Sequence, residues 1–139
     1  MTDRDENSNG AEGEEESFLN EFKLDEEKTY DISQILAMSR GDDGFVKSLI
    51  KTFVVQTPLY IDRIVNRFEG GDYKAMGETA HQLKQSVYAM RIHKLKKPVM
   101  QLVNAGKKNQ YNDTLPSQIE QVKQIAASVI LELKQDYKL

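Results

Sequence analysis

The spacing of apolar residues after residue 30 constrains the fold of this chain more than any other feature. Apolar side chains recur there every three or four positions, which is the period of one face of an α-helix. No segment alternates apolar and polar residues with a period of two, and no Asn-Gly or Asp-Gly turn lies between two β-branched runs. The pattern therefore predicts an all-α protein.

Glycine, proline and capping residues divide this pattern into five predicted helices. Asp31 is the expected N-cap of a short first helix, and Asp42 or Asp43 the start of a long second one. Because the connections between the helices are short, we expect neighbouring helices to run antiparallel, as an up-and-down bundle with a four-helix core and a short N-terminal helix. The third, fourth and fifth helices are predicted over about residues 72–90, 92–108 and 114–137.

The second predicted helix runs as far as Gly70. Its predicted buried face consists of Phe45, Leu49, Phe53, Leu59 to Ile61, Ile64, Val65 and Phe68. Pro58 lies inside it, and a proline within a helix removes a backbone hydrogen bond and bends the axis. The sequence therefore predicts a long helix with a kink rather than two helices.

Charge divides the 139-residue chain into two parts. Residues 1–28 contain eleven acidic and three basic residues, a net charge of −8, whereas the whole chain carries −3 and residues 29–139 therefore carry +5. The first seventeen residues have almost no large apolar side chain, so they are predicted to form a disordered acidic tail before a single helical domain at 29–139. The tail is interpreted either as a solubilising extension or as a mask over a basic surface.

Composition excludes several classes of protein. There is no cysteine, which excludes disulfides, thiolate catalysis and Cys-ligated metal sites. No apolar run approaches the length that spans a bilayer, and the acidic N-terminus is unlike a secretory signal, so we expect a cytoplasmic protein without a membrane partner. A monomer is expected, because no exposed apolar patch for a dimer is identifiable in the sequence. The basic stretch from Arg91 to Lys108 lacks interleaved aromatic residues and any helix-turn-helix pattern, so it is interpreted as a solvated helix face and not as a nucleic-acid site.

The third predicted helix places a histidine away from the core. Its apolar stripe alternates steps of four and three residues, and His81 lies about 160° from the centre of that stripe at 3.6 residues per turn. The histidine is therefore expected in the middle of the helix and exposed to solvent. The side chains expected to share its face are Lys74, Gly77, Glu78, Lys84, Gln85 and Tyr88.

Gly77 lies one turn before His81, where a glycine in a helix costs about 1 kcal/mol relative to alanine. It is interpreted either as room for another surface to approach the histidine closely or as a position of simple tolerance.

Two metal sites are excluded by spacing. Glu78 and His81 are three residues apart, as in a carboxylate-bridged di-iron site, but no second Glu-x-x-His pair exists. His81 and His93 lie twelve residues apart, on different predicted elements, and do not form a zinc site without further ligands. No metal site is predicted in this chain.

An exposed imidazole is well suited to accepting a transferable group. An imidazole with the unperturbed pKa of about 6.5 is mostly in its neutral, nucleophilic form at cellular pH. A phosphoryl group on this ring needs a nearby cation, and Lys84 lies three residues further along the helix.

The segment Ala80-His81-Gln82-Leu83-Lys84-Gln85-Ser86 resembles the A-H-x-L-K-G-S signature of histidine-containing phosphotransfer (HPt) domains of multistep phosphorelays. The order of elements over about residues 30–138 is similar as well. The resemblance implies that His81 is the phosphoacceptor, through Nε2, and that Lys84 stabilises the transferred charge. The exposed face around them, with Lys74, Gly77, Glu78, Gln85 and Tyr88, would dock the partner.

By the same resemblance the partners are response-regulator receiver domains, a hybrid histidine kinase, or both. The receiver domain would supply Mg²⁺, so the chain itself needs no cofactor, and it would act as a carrier without turnover of its own. Two residues depart from the family pattern: Gln85 and Met90 stand where glycines are usual. Gln85 leaves open an alternative, a docking module that binds receiver domains without transfer. An independent kinase or phosphatase has no support, because the chain has no glycine-rich nucleotide loop.

Overall fold

The computed structural model describes residues 29–139, and the predicted acidic tail at 1–28 lies outside the described residues. Over the described range the protein is all-α, as predicted, with five helices and no strand. They are α1 (Ser33–Ser39), α2 (Asp43–Glu69), α3 (Tyr73–Ala89), α4 (His93–Lys108) and α5 (Leu115–Tyr137).

The four long helices close into a bundle. Each packs against two others: α2 against α3 and α5, and α4 against α3 and α5, while the short α1 rests on α2. The α3–α4 contact is the most extensive. These two helices are antiparallel, because Tyr73 at the start of α3 lies beside Gly106 near the end of α4. Between residues 29 and 139, no helix is both long and apolar enough to cross a membrane.

Aspartate side chains cap the N-termini of α2 and α3. Asp42 accepts a hydrogen bond from the Phe45 backbone N–H at the start of α2, and Asp72 accepts one from Ala75 at the start of α3. The N-cap of α1 is Ile32 and not Asp31, so that prediction was wrong by one residue. Asp31 still accepts a hydrogen bond from the backbone N–H of Ser33, and this bond lowers the pKa of its carboxyl.

The buried face of α2 agrees with the predicted one only in part, since Phe53, Ile61 and Ile64 are buried as predicted. Phe45, Leu49 and Leu59 are exposed, and the helix instead buries the neighbouring face that begins with Val46 and Ile50. Apolar residues lie on both faces of this helix, so periodicity alone did not say which of them meets α3 and α5. The helix runs without a break through Pro58.

The core fills the space between the four long helices. Its largest fully buried side chains come from α2, α3, α4, α5 and the α3–α4 turn, so burial of apolar surface holds all four helices together. These side chains are Ile50, Ile64, Met76, Leu83, Val87, Ile92, Leu95, Val99, Leu102, Leu115 and Leu133.

Polar contacts fix the first described residues against the bundle. Thr29 donates through its hydroxyl and its backbone N–H to the carboxylate of Glu132 on α5. The Tyr30 hydroxyl donates to the Asp136 carboxylate, and burial together with this bond raises the pKa of Tyr30. The chain therefore enters the domain beside the C-terminal half of α5.

Candidate functional site

The orientation of α3 places His81 on the surface. Met76, Ala80, Leu83 and Val87 are all fully buried, which confirms the predicted apolar stripe. His81 lies on the opposite side and is exposed. The periodicity of the sequence thus predicted which side of the helix the histidine occupies.

Gly77 is buried, so the prediction that it is exposed on the same face as His81 was wrong. A Cβ atom added at Gly77 would lie 2.5 Å from the Cα of Gly106 in α4 and 3.2 Å from the Leu102 carbonyl oxygen. The converse holds at Gly106, whose added Cβ would lie 2.5 Å from the Cα of Gly77. The surface that approaches Gly77 closely is therefore the backbone of α4, and the two glycines let α3 and α4 touch.

An open groove of about 590 Å³ lies beside this contact. His81 lines it from α3, while α4 and its C-cap contribute Lys107 and Asn109. Asn109 ends α4 in the left-handed backbone conformation (φ 50°). Glycine is the residue most often found in this conformation at a helix end, and asparagine also occurs there. The groove lining consists of Lys74, Gly77, Glu78, His81, Gln82, Val103, Gly106, Lys107 and Asn109.

The charges in this groove favour an anion. Lys74 and Lys107 line it from opposite helices, and Glu78 is the single acidic residue of the lining. Lys74 lies seven residues before His81, so the two side chains project from nearly the same side of α3. Chemically, the arrangement offers a solvent-accessible imidazole in the same groove as two ammonium groups, which suits binding or carrying a phosphoryl or carboxylate group.

Lys84 lies on the other side of His81 and contacts an aromatic ring. Its Nζ is 5.7 Å from the centre of the Tyr88 ring, and Lys96 of α4 places its Nζ 4.9 Å from the same ring. Both are cation–π contacts. Tyr88 is 43% exposed and Lys84 is half-buried, so this trio forms a second positive area, one to two turns beyond the histidine.

The remaining predicted docking residues, Lys74, Glu78 and Gln85, are exposed. Gln85 lies one turn after His81 on the same side of α3. Next to Glu78, Arg67 of α2 donates a 2.6 Å hydrogen bond to the Thr79 hydroxyl, and this bond ties α2 to α3 behind the histidine.

Sequence reasoning missed Lys107 and Asn109, because they are more than twenty residues from His81 in the chain. One signal was present: Gly106, like Gly77, is a glycine inside a helical pattern. Two such glycines indicate that two helices approach closely, and the neighbours of the second then face the neighbours of the first.

Among residues 29–139, no group of three or more His, Asp or Glu side chains is arranged to hold a metal ion. Comparison of the chain with protein-family models, with curated proteins and with solved structures gives no match.

Proposed function

We propose that this protein is a phosphoryl carrier of the histidine phosphotransfer type, with His81 as the acceptor. The observation that carries the proposal is an exposed histidine in the middle of α3, beside a groove that two lysines from two helices line. A buried structural histidine would have neither the solvent access nor the neighbouring cations.

The proposed step is an exchange between two residues of two proteins. Nε2 of the neutral imidazole attacks the phosphorus of an aspartyl phosphate on a receiver domain. A P–N bond forms, the P–O bond to the aspartate breaks, and the carboxylate leaves with the electron pair. The receiver domain supplies Mg²⁺, and Lys84 together with the groove lysines offsets the charge of the phosphoryl oxygens. The reverse step returns the group, so the chain acts as a carrier and not as an enzyme.

His81→Gln is the decisive variant, and the chain offers a matched control because it has two histidines. We expect labelled phosphate to move from a phosphorylated receiver domain to the wild type and to His93→Gln, but not to His81→Gln. The label should be stable in base and lost in acid, as a phosphohistidine requires. Equal labelling of His81→Gln and the wild type would contradict the proposal.

Gln85 motivates a second candidate, a docking module that binds receiver domains without accepting the phosphoryl group. Its exposed side chain lies one turn from the imidazole, where bulk hinders the approach of a partner. In that case several receivers bind, none transfers label to the wild type, and Gln85→Gly gains transfer. Binding would then survive His81→Gln.

A further inference from the structure

The segment from the middle of α3 to the end of α4 contains several basic residues and no acidic one. Residues 79–112 contain seven Lys or Arg residues and no Asp or Glu. Each of the seven side chains is exposed or half-buried in the bundle. By contrast, the eleven acidic residues that residues 29–139 contain all lie before or after this stretch.

One side of α4 presents this charge as an ordered row. Lys94, Lys97 and Lys108 follow one another at spacings of three and eleven residues, which returns each to nearly the same side of a helix. Gln101 and Asn104 lie between them, and an open groove of about 400 Å³ runs along this side between Lys97 and Lys108. We call these five residues the basic face of α4; within the described range, none of its lysines forms an ion pair.

The acidic part of the chain is attached close to the start of this face. The Asp31 backbone N–H donates to the Met90 carbonyl at the α3–α4 turn, and the Asp31 carboxylate lies 3.6 Å from the Arg91 guanidinium. Thr29, the first residue that the structure describes, is therefore only two residues from the contact with the turn that leads into α4. The acidic segment 1–28 is thus connected to the domain near the basic face of α4, whose charge is opposite to its own.

We propose that residues 1–28 of this chain dock on the basic face of α4. The net charge of −8 on this segment faces a domain of +5, and four carboxylates fall within the five residues from Glu12 to Glu16. A chain of 28 residues spans up to about 90 Å at roughly 3.3 Å per residue, whereas α4 is about 24 Å long. Length therefore places no limit on which part of the face it reaches.

Tethering makes weak contacts sufficient. Exposed ion pairs are individually weak, but a short tether holds the segment near α4 at an effective concentration in the millimolar range. An external nucleic acid lacks this advantage and is repelled by the net negative charge of the whole chain. Nothing in this inference depends on phosphorylation of His81.

The absence of cysteine makes a direct test available in the 139-residue chain. A single Ser17→Cys substitution carries a nitroxide spin label next to the acidic cluster. In NMR spectra, the broadening of each backbone amide signal reports the distance between that amide and the spin label. We expect strong broadening of the amides of the basic face of α4. Raising the ionic strength to about 1 M shortens the Debye length to about 3 Å and should remove most of it.

Matched charge variants decide the cause. In the labelled protein, Glu14→Gln, Glu15→Gln and Glu16→Gln together should remove the broadening, as should Lys97→Gln with Lys108→Gln. Asp62→Asn, Glu69→Gln and Glu120→Gln remove the same number of charges from the helical domain and should leave it unchanged.

Broadening that instead falls on the exposed apolar side of α2, or that survives both the Glu→Gln set and high salt, overturns the proposal. The proposal is also overturned if copies with only the isotope label are mixed with copies that have only the spin label, and the broadening increases with protein concentration. The occupant of the basic face is then a second copy.

Discussion

The two ends of the bundle are closed by different interactions. At the end where α2 turns into α3 and α4 into α5, the contacts are apolar and steric. The rings of Phe68, Tyr73 and Tyr111 lie 6.1–6.2 Å apart, and Gly77 meets Gly106 just inside them.

At the opposite end, the contacts are polar. Thr29 and Tyr30 donate hydrogen bonds to carboxylates of α5, and Asp31 pairs with Arg91 at the α3–α4 turn. These contacts hold the chain where it enters the domain and include groups that titrate. The groove that His81 lines extends from the end with the three aromatic rings, which we call the steric end, so its shape depends on backbone packing. The opposite, polar end contains Tyr30 and Tyr137, whose pKa values are raised, and Asp31, whose pKa is lowered.

The largest expected effect is at the steric end. Gly77→Ala places a Cβ 2.5 Å from a backbone atom of α4, and neither backbone can give way alone. We expect the free energy of unfolding to fall by about 2 kcal/mol in urea denaturation, despite the roughly 1 kcal/mol that alanine gains in helix propensity.

Gly44→Ala is the control, since an added Cβ there meets only the Asp42 carboxylate oxygen at 3.4 Å within the first turn of α2. It should leave stability unchanged or raise it by up to about 1 kcal/mol. If the two variants behave alike, the glycine contact does not hold α3 against α4.

The next effect sharpens the role of the groove and rests on the proposed function. Lys107 lines the groove with His81, whereas Lys108 belongs to the groove on the other side of α4. Lys107→Gln should slow phosphoryl transfer to His81 about tenfold, because one charge-assisted contact to the phosphoryl oxygens is lost.

Lys108→Gln removes the same charge one residue away. We expect it to change the transfer rate by no more than about twofold, because Lys108 lies on the other side of α4 and its charge is screened by solvent. Single-turnover transfer from one receiver domain measures both. Equal rates for the two variants would place the groove outside the reaction.

The smallest effect concerns the polar end. The pKa of Tyr30 is raised in the folded protein by burial and by Asp136, so its contribution to stability is fully present below the unfolded-state pKa of about 10 and is lost as pH rises above it. We expect the free energy of unfolding of the wild type to change little between about pH 8 and pH 9.5 and to decline as the pH rises above about 10.

Tyr30→Phe should be less stable than the wild type by about 1 kcal/mol at pH 8 and should decline less toward alkaline pH. The pKa of Tyr137 is raised as well, by burial and by Asp136, so Tyr137→Phe is measured alongside to separate the two tyrosines. An unchanged alkaline slope in Tyr30→Phe would show that the polar end does not set the pH response.

The sequence was most informative where one helix has a single apolar stripe. In α3 the stripe ending at Val87 is unambiguous, so the exposed position of His81 followed from the helical period alone. In α2, Phe45 and Val46 belong to two adjacent apolar faces, and only the packing of α3 and α5 decides between them.

The candidate site was predictable only in its local half. His81, Lys84 and Tyr88 lie on one helix and their spacing is fixed by it. The contribution of Lys107 depends on the register between α3 and α4, which a one-dimensional pattern does not contain. The misassignment of Gly77 has the same origin, because its partner is the backbone of another helix.

The glycine pair also has a consequence for descent. Because Gly77 and Gly106 each occupy the space that a side chain at the other position would need, a larger residue at either position would separate α3 from α4. In any descendant that keeps this groove, small residues 29 positions apart should be inherited as a pair. That pairing is a signature by which distant kin can be recognised after the rest of the sequence has diverged.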